Sequence, residues 1–201
     1  MNAFDHYPVL NKDSLIGGCM RLPLEIDAER LQAEIAGIPT ELWSTRGGRV
    51  GVHSQVNAIF FRGYAPAEGD KPIEDREILQ TLPYVREILA MIPANPLRCL
   101  AASLKAEGVV AEHSDIGPYF QKTIRLHFPV TTNPQVTMFS NGMAYKMKPG
   151  EVWALNNIAP HRVLNEHKTS RRIHIICDFL PEESLLELLS KGQRDLGKAT
   201  T

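Results

Sequence analysis

An imidazole and a carboxylate stand two residues apart at His113 and Asp115, inside the run EHSD at 112 to 115, and a second imidazole, His161, follows Pro160. On a strand, residues two apart project to the same face, so His113 and Asp115 can aim at one point. His161 can then supply a third donor from a distant segment. Two imidazoles and one carboxylate on one triangular face leave three positions of a metal open, the arrangement of non-haem Fe(II) oxygenases. Zinc is the competing metal, but structural zinc commonly takes four protein ligands, and no fourth candidate stands out. Arg171, at the start of the last strand-like run, adds a guanidinium. An open-coordinated iron beside a guanidinium suits a dicarboxylate that chelates at one end and pairs bidentately with arginine at the other. A lone H-x-D arises often by chance, so the weight falls on the elements that carry these residues.

Those elements read as strands. Beyond Pro96, short runs rich in Val, Ile, Phe and Thr alternate with Gly, Asn or Pro. The expected strands are 98–105, 109–112, 123–131, 136–140, 143–147, 152–155, 161–164 and 172–179. Asn141 and Gly142 form the dipeptide of a two-residue hairpin, and Pro149 and Gly150 mark another turn. The fold class expected is mainly β with flanking helices around a double-stranded β-helix, the jelly-roll or cupin-like core. In the strand-like sequence at 124–130, Arg125 and His127 share one face and Leu126, Phe128 and Val130 the other.

Ahead of that core, 20–26 reads as a strand that Pro23 confines to a sheet edge. Asp27 caps a helix carrying Leu31 and Ile35, ended by Gly37 and Pro39. Strands joined by a turn at Gly47 and Gly48 fill 42–63, a surface loop 64–75, and helix 75–93, where Pro83 either divides two pieces or sits in a first turn. Pro181, Glu182 and Glu183 open a last helix, and the tail after Lys191 is expected to fray. The chain is expected to form one domain over 1–201: a mixed support region at 1–95, the jelly-roll core at 96–180, and a helix and tail at 181–201.

Composition narrows the function classes. With 43% hydrophobic and 22% charged residues and a net charge of −1, the chain is globular and carries no global field for nucleic acid or an anionic membrane. Cys19, Cys99 and Cys177 lack C-x-x-C spacing, and reduced cytoplasmic thiols are the simplest reading. Met1 to Leu10 has no secretory pattern, and no segment has the length of a membrane span. Trp43 and Trp153 read as core aromatics, Arg172 and His174 as exposed strand positions, and His6, His53 and His167 have no supporting context.

Taken together, EHSD at 112–115, IRLHFPV at 124–130, GEVWALNN at 150–157, PHRVLNE at 160–166 and RRIHIICDF at 171–179 are far more specific than any one of them. Through them, residues 97–179 resemble the aspartyl/asparaginyl β-hydroxylase family of 2-oxoglutarate-dependent dioxygenases. The amino-terminal 95 residues match less clearly, although LPYVREILAMIP at 82–93 resembles the helix that precedes the family's barrel. The resemblance implies His113, Asp115 and His161 as Fe(II) ligands and Arg171 as partner of the distal 2-oxoglutarate carboxylate. It further implies Arg125, His127 and Ser103 as cosubstrate-binding residues. Retention of the acidic ligand makes the chain look more like the bacterial free L-proline and amino-acid hydroxylases.

The activity so implied is hydroxylation of an unactivated C–H bond with Fe(II), 2-oxoglutarate and O2, and ascorbate as accessory reductant. The substrate is then a small molecule: an amino acid, or an amino acid within a peptide or tethered to a carrier. Arg46, Arg49 and Arg62 can meet a substrate carboxylate, with none favoured. Two rivals remain: a non-enzymatic metabolite-binding β-sandwich, and a cupin-like metalloenzyme that ignores 2-oxoglutarate.

Overall fold

The computed structural model describes residues 4–45, 51–67 and 71–200. It opens with helix α1 (Lys12–Leu15), strand β1 (Cys19–Glu25) and helix α2 (Ala28–Ala36), followed by β2 (Ser44–Thr45) and β3 (Val56–Arg62). A 3-10 turn over Glu77–Thr81 then leads into α3 (Pro83–Met91). The strands β4 (Pro96–Leu104) and β5 (Val109–His113) precede a short helix α4 (Pro118–Gln121). Next come β6 (Ile124–Thr131), β7 (Val136–Ser140), β8 (Met143–Tyr145), β9 (Glu151–Leu155), β10 (His161–Asn165) and β11 (Arg172–Phe179). Helix α5 (Glu183–Ser190) and strand β12 (Lys198–Ala199) close the chain.

Two antiparallel sheets face each other, a major one ordered β1-β9-β6-β11-β4-β3-β2 and a minor one ordered β12-β8-β7-β10-β5. The strands expected from sequence divide evenly between them: β4, β6, β9 and β11 in the major sheet, β5, β7, β8 and β10 in the minor. Repeated crossing between sheets is the double-stranded β-helix. Pro23 does lie on an edge strand, and Asn141 and Gly142, with φ of 50° and 73°, make the hairpin between β7 and β8.

Alternation along the major-sheet strands sorts side chains into two cores. Ile124, Leu126, Phe128 and Val130 of β6 pack outward with Leu31 and Ile35 of α2, Val85 and Ile88 of α3, and Leu185 and Leu189 of α5. Each such fully buried aliphatic side chain contributes roughly 1.5–3 kcal/mol. Between the sheets, Leu100 and Ala102 of β4 meet Met138, Trp153, Leu155, Val163 and Ile176. The helices support one another as well. The Glu34 carboxylate of α2 accepts from the backbone N–H groups of Tyr84 and Val85, which begin α3 behind Pro83 and have no partner within their own helix.

One expectation needs correction. The segment after Lys191 does not fray: Gln193 exchanges backbone hydrogen bonds with Arg21 of β1, and β12 pairs with β8. Polar side chains in that tail hid a pairing supplied by backbone groups. Helix α4 had no sequence expectation; its four residues are too few to show a period. The turn expected at Gly47 and Gly48 lies outside the described residues.

Candidate functional site

His113 ends β5 and His161 begins β10, and the two are cross-strand partners with ring centroids 4.2 Å apart. Asp115 follows β5, and its N–H donates to the carbonyl of Asn157 (2.9 Å), tying the loop after β5 to the loop before β10. One donor atom from each of His113, Asp115 and His161 lies within 4.8 Å of the others. Nδ1 of His113 lies 2.8 Å from the carbonyl of Ala111, and Nδ1 of His161 lies 2.9 Å from that of Ala159. A carbonyl only accepts, so the proton of each neutral ring is on Nδ1 and the Nε2 lone pair serves as the ligand. Oδ2 of Asp115 accepts from Asn157 Nδ2 (3.1 Å) and from Arg125, while Oδ1 lies 3.9 Å from Nε2 of His113. Two neutral imidazoles and one carboxylate oxygen, each held by a hydrogen bond behind it, fit a divalent iron.

The charges agree with that use. Burial works to raise Asp115, but Arg125, then His161, Asn157 and His113, outweigh it and hold the carboxyl ionised well below the usual range. Burial, reinforced by His113, brings His161 down to about 4 and keeps it neutral. Arg125 also donates from Nε to Asp178 Oδ1 (2.7 Å) and from Nη2 to Asp178 Oδ2 (3.0 Å), so it bridges two buried carboxylates. Lys12, only 1% exposed, donates from Nζ to Asn157 Oδ1 (2.6 Å). Burial first, then Arg125, lowers this lysine to about 7.

Lys12, Asn157 and Asp178 were missed as site residues. Asn157 and Asp178 lie inside stretches that carry the family resemblance, which was the available signal. Lys12 had none, because α1 is a single turn.

The space between the sheets, with two of these imidazoles in its wall, is lined by His113, His161, Arg125, His127, Ala102 and Arg172 among others. The arginine at its far side is therefore Arg172, not Arg171. Arg171 is exposed just before β11, whereas Arg172 is 3% exposed. Its neighbour His174, expected on the surface, is 1% exposed, and its Nδ1 accepts from Arg172 Nη2 (2.7 Å). In a strand, a shift of one residue exchanges the faces, and adjacent arginines at a strand start leave that choice open in sequence. His127 Nδ1 lies 3.4 Å from His174 Nδ1, completing a buried cluster with Arg172.

Ser103 is turned away. It shares its side of β4 with Cys99 and Ala101, which pack on the helices, while Ala102 lines the cavity. His53, without sequence support, does line the cavity, with its ring 5.0 Å from that of His113. Arg62 pairs with Asp75 and with the Pro96 carbonyl outside the cavity. Arg46 and Arg49 lie outside the described residues.

Solved structures share this architecture. A 2-oxoglutarate–Fe(II) oxygenase family protein of Burkholderia pseudomallei aligns with a TM-score of 0.57 at 14% identity, over 82% of this chain and 86% of its own. A Trichoplax adhaerens prolyl hydroxylase, in complex with a hypoxia inducible factor peptide fragment, aligns with a TM-score of 0.59 at 12% identity, over 88% and 89%. A collagen prolyl hydroxylase of Paramecium bursaria Chlorella virus-1 gives 0.50 at 12% identity, over 80% and 94%. None of the curated proteins compared matches the sequence.

The fold is thus that of the 2-oxoglutarate-dependent oxygenases. The family model described as aspartyl/asparaginyl beta-hydroxylase matches residues 64–181, more than half of the chain, and the chain belongs to that family. It is an enzyme of the 2-oxoglutarate-dependent class, with Fe(II) and 2-oxoglutarate as cofactor and cosubstrate.

Proposed function

We propose that the chain hydroxylates an amino acid, free or carried in a peptide or on a carrier, in the cytoplasm. The observation that carries this reading is the convergence of the His113, Asp115 and His161 donor atoms within 4.8 Å beside a cavity that also holds a buried arginine. When bound, Fe(II) and 2-oxoglutarate supply the oxidising power to place one atom of O2 on an unactivated C–H bond, with succinate and CO2 as coproducts.

The protein's part is binding and orientation. His113, Asp115 and His161 hold the iron, and Arg125 and Asn157 keep Asp115 ionised and turned so that Oδ1 is presented. Arg172 meets the distal carboxylate of the cosubstrate, in the role expected for Arg171, with a guanidinium that His174 orients. His127 faces the same space from β6 and contributes to the cosubstrate pocket. Arg125 lines the cavity with its nitrogens engaged by Asp115 and Asp178, and Ser103 takes no part. A cupin-like enzyme indifferent to 2-oxoglutarate would have no use for the buried Arg172.

The test is succinate formation under air with Fe(II), ascorbate and 2-oxoglutarate, across free amino acids and short peptides. Turnover and 2-oxoglutarate binding are expected; absence of both overturns the reading.

A further inference from the structure

A row of charged side chains crosses the major sheet at the end where the metal donors converge. Arg125 on β6 and Asp178 on β11 are register partners, and Arg98 follows on β4, between the pairs Cys177–Cys99 and Phe179–Pro96. Arg98 alternates with Leu100 and Ala102, which face the space between the sheets, so its side chain enters that space at the rim. It is 6% exposed, and its Nε is buried without an acceptor. The natural counter-charge is already taken: Asp178 Oδ1 accepts from Arg125 Nε (2.7 Å), and Oδ2 accepts from Arg125 Nη2 (3.0 Å) and from the Tyr119 hydroxyl (3.1 Å).

What surrounds the Arg98 guanidinium is aromatic. It lies 5.8 Å from the ring centroid of Phe60 and 5.8 Å from that of Tyr119, which steady its plane, and the Tyr119 hydroxyl accepts from the Arg98 backbone N–H (3.4 Å). Gly63, at φ +67°, closes over the stem, where a Cβ would come within 2.9 Å of Arg98 Cγ. An arginine packed this firmly, with its Nε buried and lacking an acceptor, is costly unless an anion arrives to meet it. That anion is not the distal carboxylate of the cosubstrate, because Arg172 pairs with Leu104 at the opposite end of β4.

We propose that Arg98 is the subsite for a carboxylate of the substrate, and that the substrate is a free amino acid with an unblocked carboxylate. This rests on the reading of the chain as a 2-oxoglutarate-dependent hydroxylase. A bidentate pair between Arg98 and the substrate carboxylate rejects amides and internal peptide residues, which bring no charge to the pocket.

The test uses the full-length iron-loaded chain and measures succinate release with each of the protein amino acids and with the matching carboxamides. Affinity for 2-oxoglutarate, titrated with Mn(II) in place of iron, is followed in parallel. At least one amino acid is expected to raise succinate release while its carboxamide does not. Arg98→Met is expected to keep the 2-oxoglutarate affinity within about twofold and to raise KM for that amino acid by on the order of 30-fold or more, with Arg98→Lys recovering part of the loss. If the wild-type chain binds no 2-oxoglutarate and turns nothing over, the hydroxylase reading falls and this inference with it. If it binds 2-oxoglutarate and no amino acid stimulates it, or Arg98→Met leaves KM unchanged, the subsite alone is overturned. Should Arg98→Met fail to fold, equal KM values for acid and amide in the wild type and Arg98→Lys overturn it equally.

Discussion

The Nζ of Lys12 donates to Oδ1 of Asn157 at 2.6 Å, and that bond decides which way the Asn157 amide faces. An ammonium only donates, so the oxygen must point to Lys12 and Nδ2 must point to Asp115, where it donates to Oδ2 at 3.1 Å. A lysine on the first helix therefore sets the orientation of the carboxylate proposed to bind iron. Lys12→Met is expected to lower metal affinity by about tenfold, the scale of losses when a group behind a ligand is removed. Metal titration of the purified variant, with circular dichroism to verify folding, measures this. An unchanged dissociation constant would show that Asn157 holds its orientation without Lys12.

Adjacent arginines should separate cleanly. Arg172→Leu removes the buried guanidinium and is expected to weaken 2-oxoglutarate binding by roughly 30-fold or more. Arg171→Leu, at an exposed position, should leave it within about twofold. Calorimetric titration of 2-oxoglutarate with Mn(II) present distinguishes them, and the reverse ranking would return the role to Arg171.

The ion pairs around Arg125 make unequal demands on stability. Asp115→Ala is expected to abolish turnover by removing a proposed iron ligand, yet leaves Arg125 with its two bonds to Asp178. Its cost to the metal-free protein is expected to be about 1–3 kcal/mol. Arg125→Met strands both buried carboxylates and should cost more, about 3–5 kcal/mol. Urea unfolding of the two metal-free variants gives the order, and a less stable Asp115→Ala would contradict it.

Stability should also depend on pH in two windows. His161, brought down to about 4, and His174, held well below its ordinary 6.5, stay neutral in the folded protein. As pH falls below 6.5, the unfolded chain takes up protons at these imidazoles and the folded protein does not until near pH 4 for His161. Each therefore withdraws up to about 1.4 kcal/mol per pH unit across that interval. Lys12, lowered to about 7, acts in the alkaline window: above pH 7 the folded protein gives up a proton that the unfolded chain keeps, so stability rises with pH. Denaturation of the metal-free protein at pH 5, 7 and 9 tests both, and in Lys12→Met the alkaline rise should vanish.

Much of this architecture was legible because each signal was local. Strand alternation placed Arg125 and His127 opposite Leu126 and Phe128, and Asn141 with Gly142 announced the hairpin. The convergence of His113, Asp115 and His161 was legible too, since residues two apart on a strand and a histidine opening its antiparallel neighbour need only a sheet to meet. What stayed hidden depended on register or on distant partners. The choice between Arg171 and Arg172, and between Ser103 and Ala102, turns on a single residue of pairing. Lys12 and Arg98 look like surface cations in sequence, and only the packing of α1 and of the loop at Gly63 shows that both are buried.

The pairing of β12 with β8 bears on how copies of the protein behave toward one another. An uncovered sheet border is a template for another chain, and here the minor sheet's border beyond β8 is occupied by Lys198 and Ala199 of β12. Removing the segment after Lys191 would leave the backbone groups of β8 open to a second molecule. That segment therefore covers a sheet border as well as bracing β1 through Gln193, and its removal is expected to increase self-association, which light scattering of the truncated protein would measure.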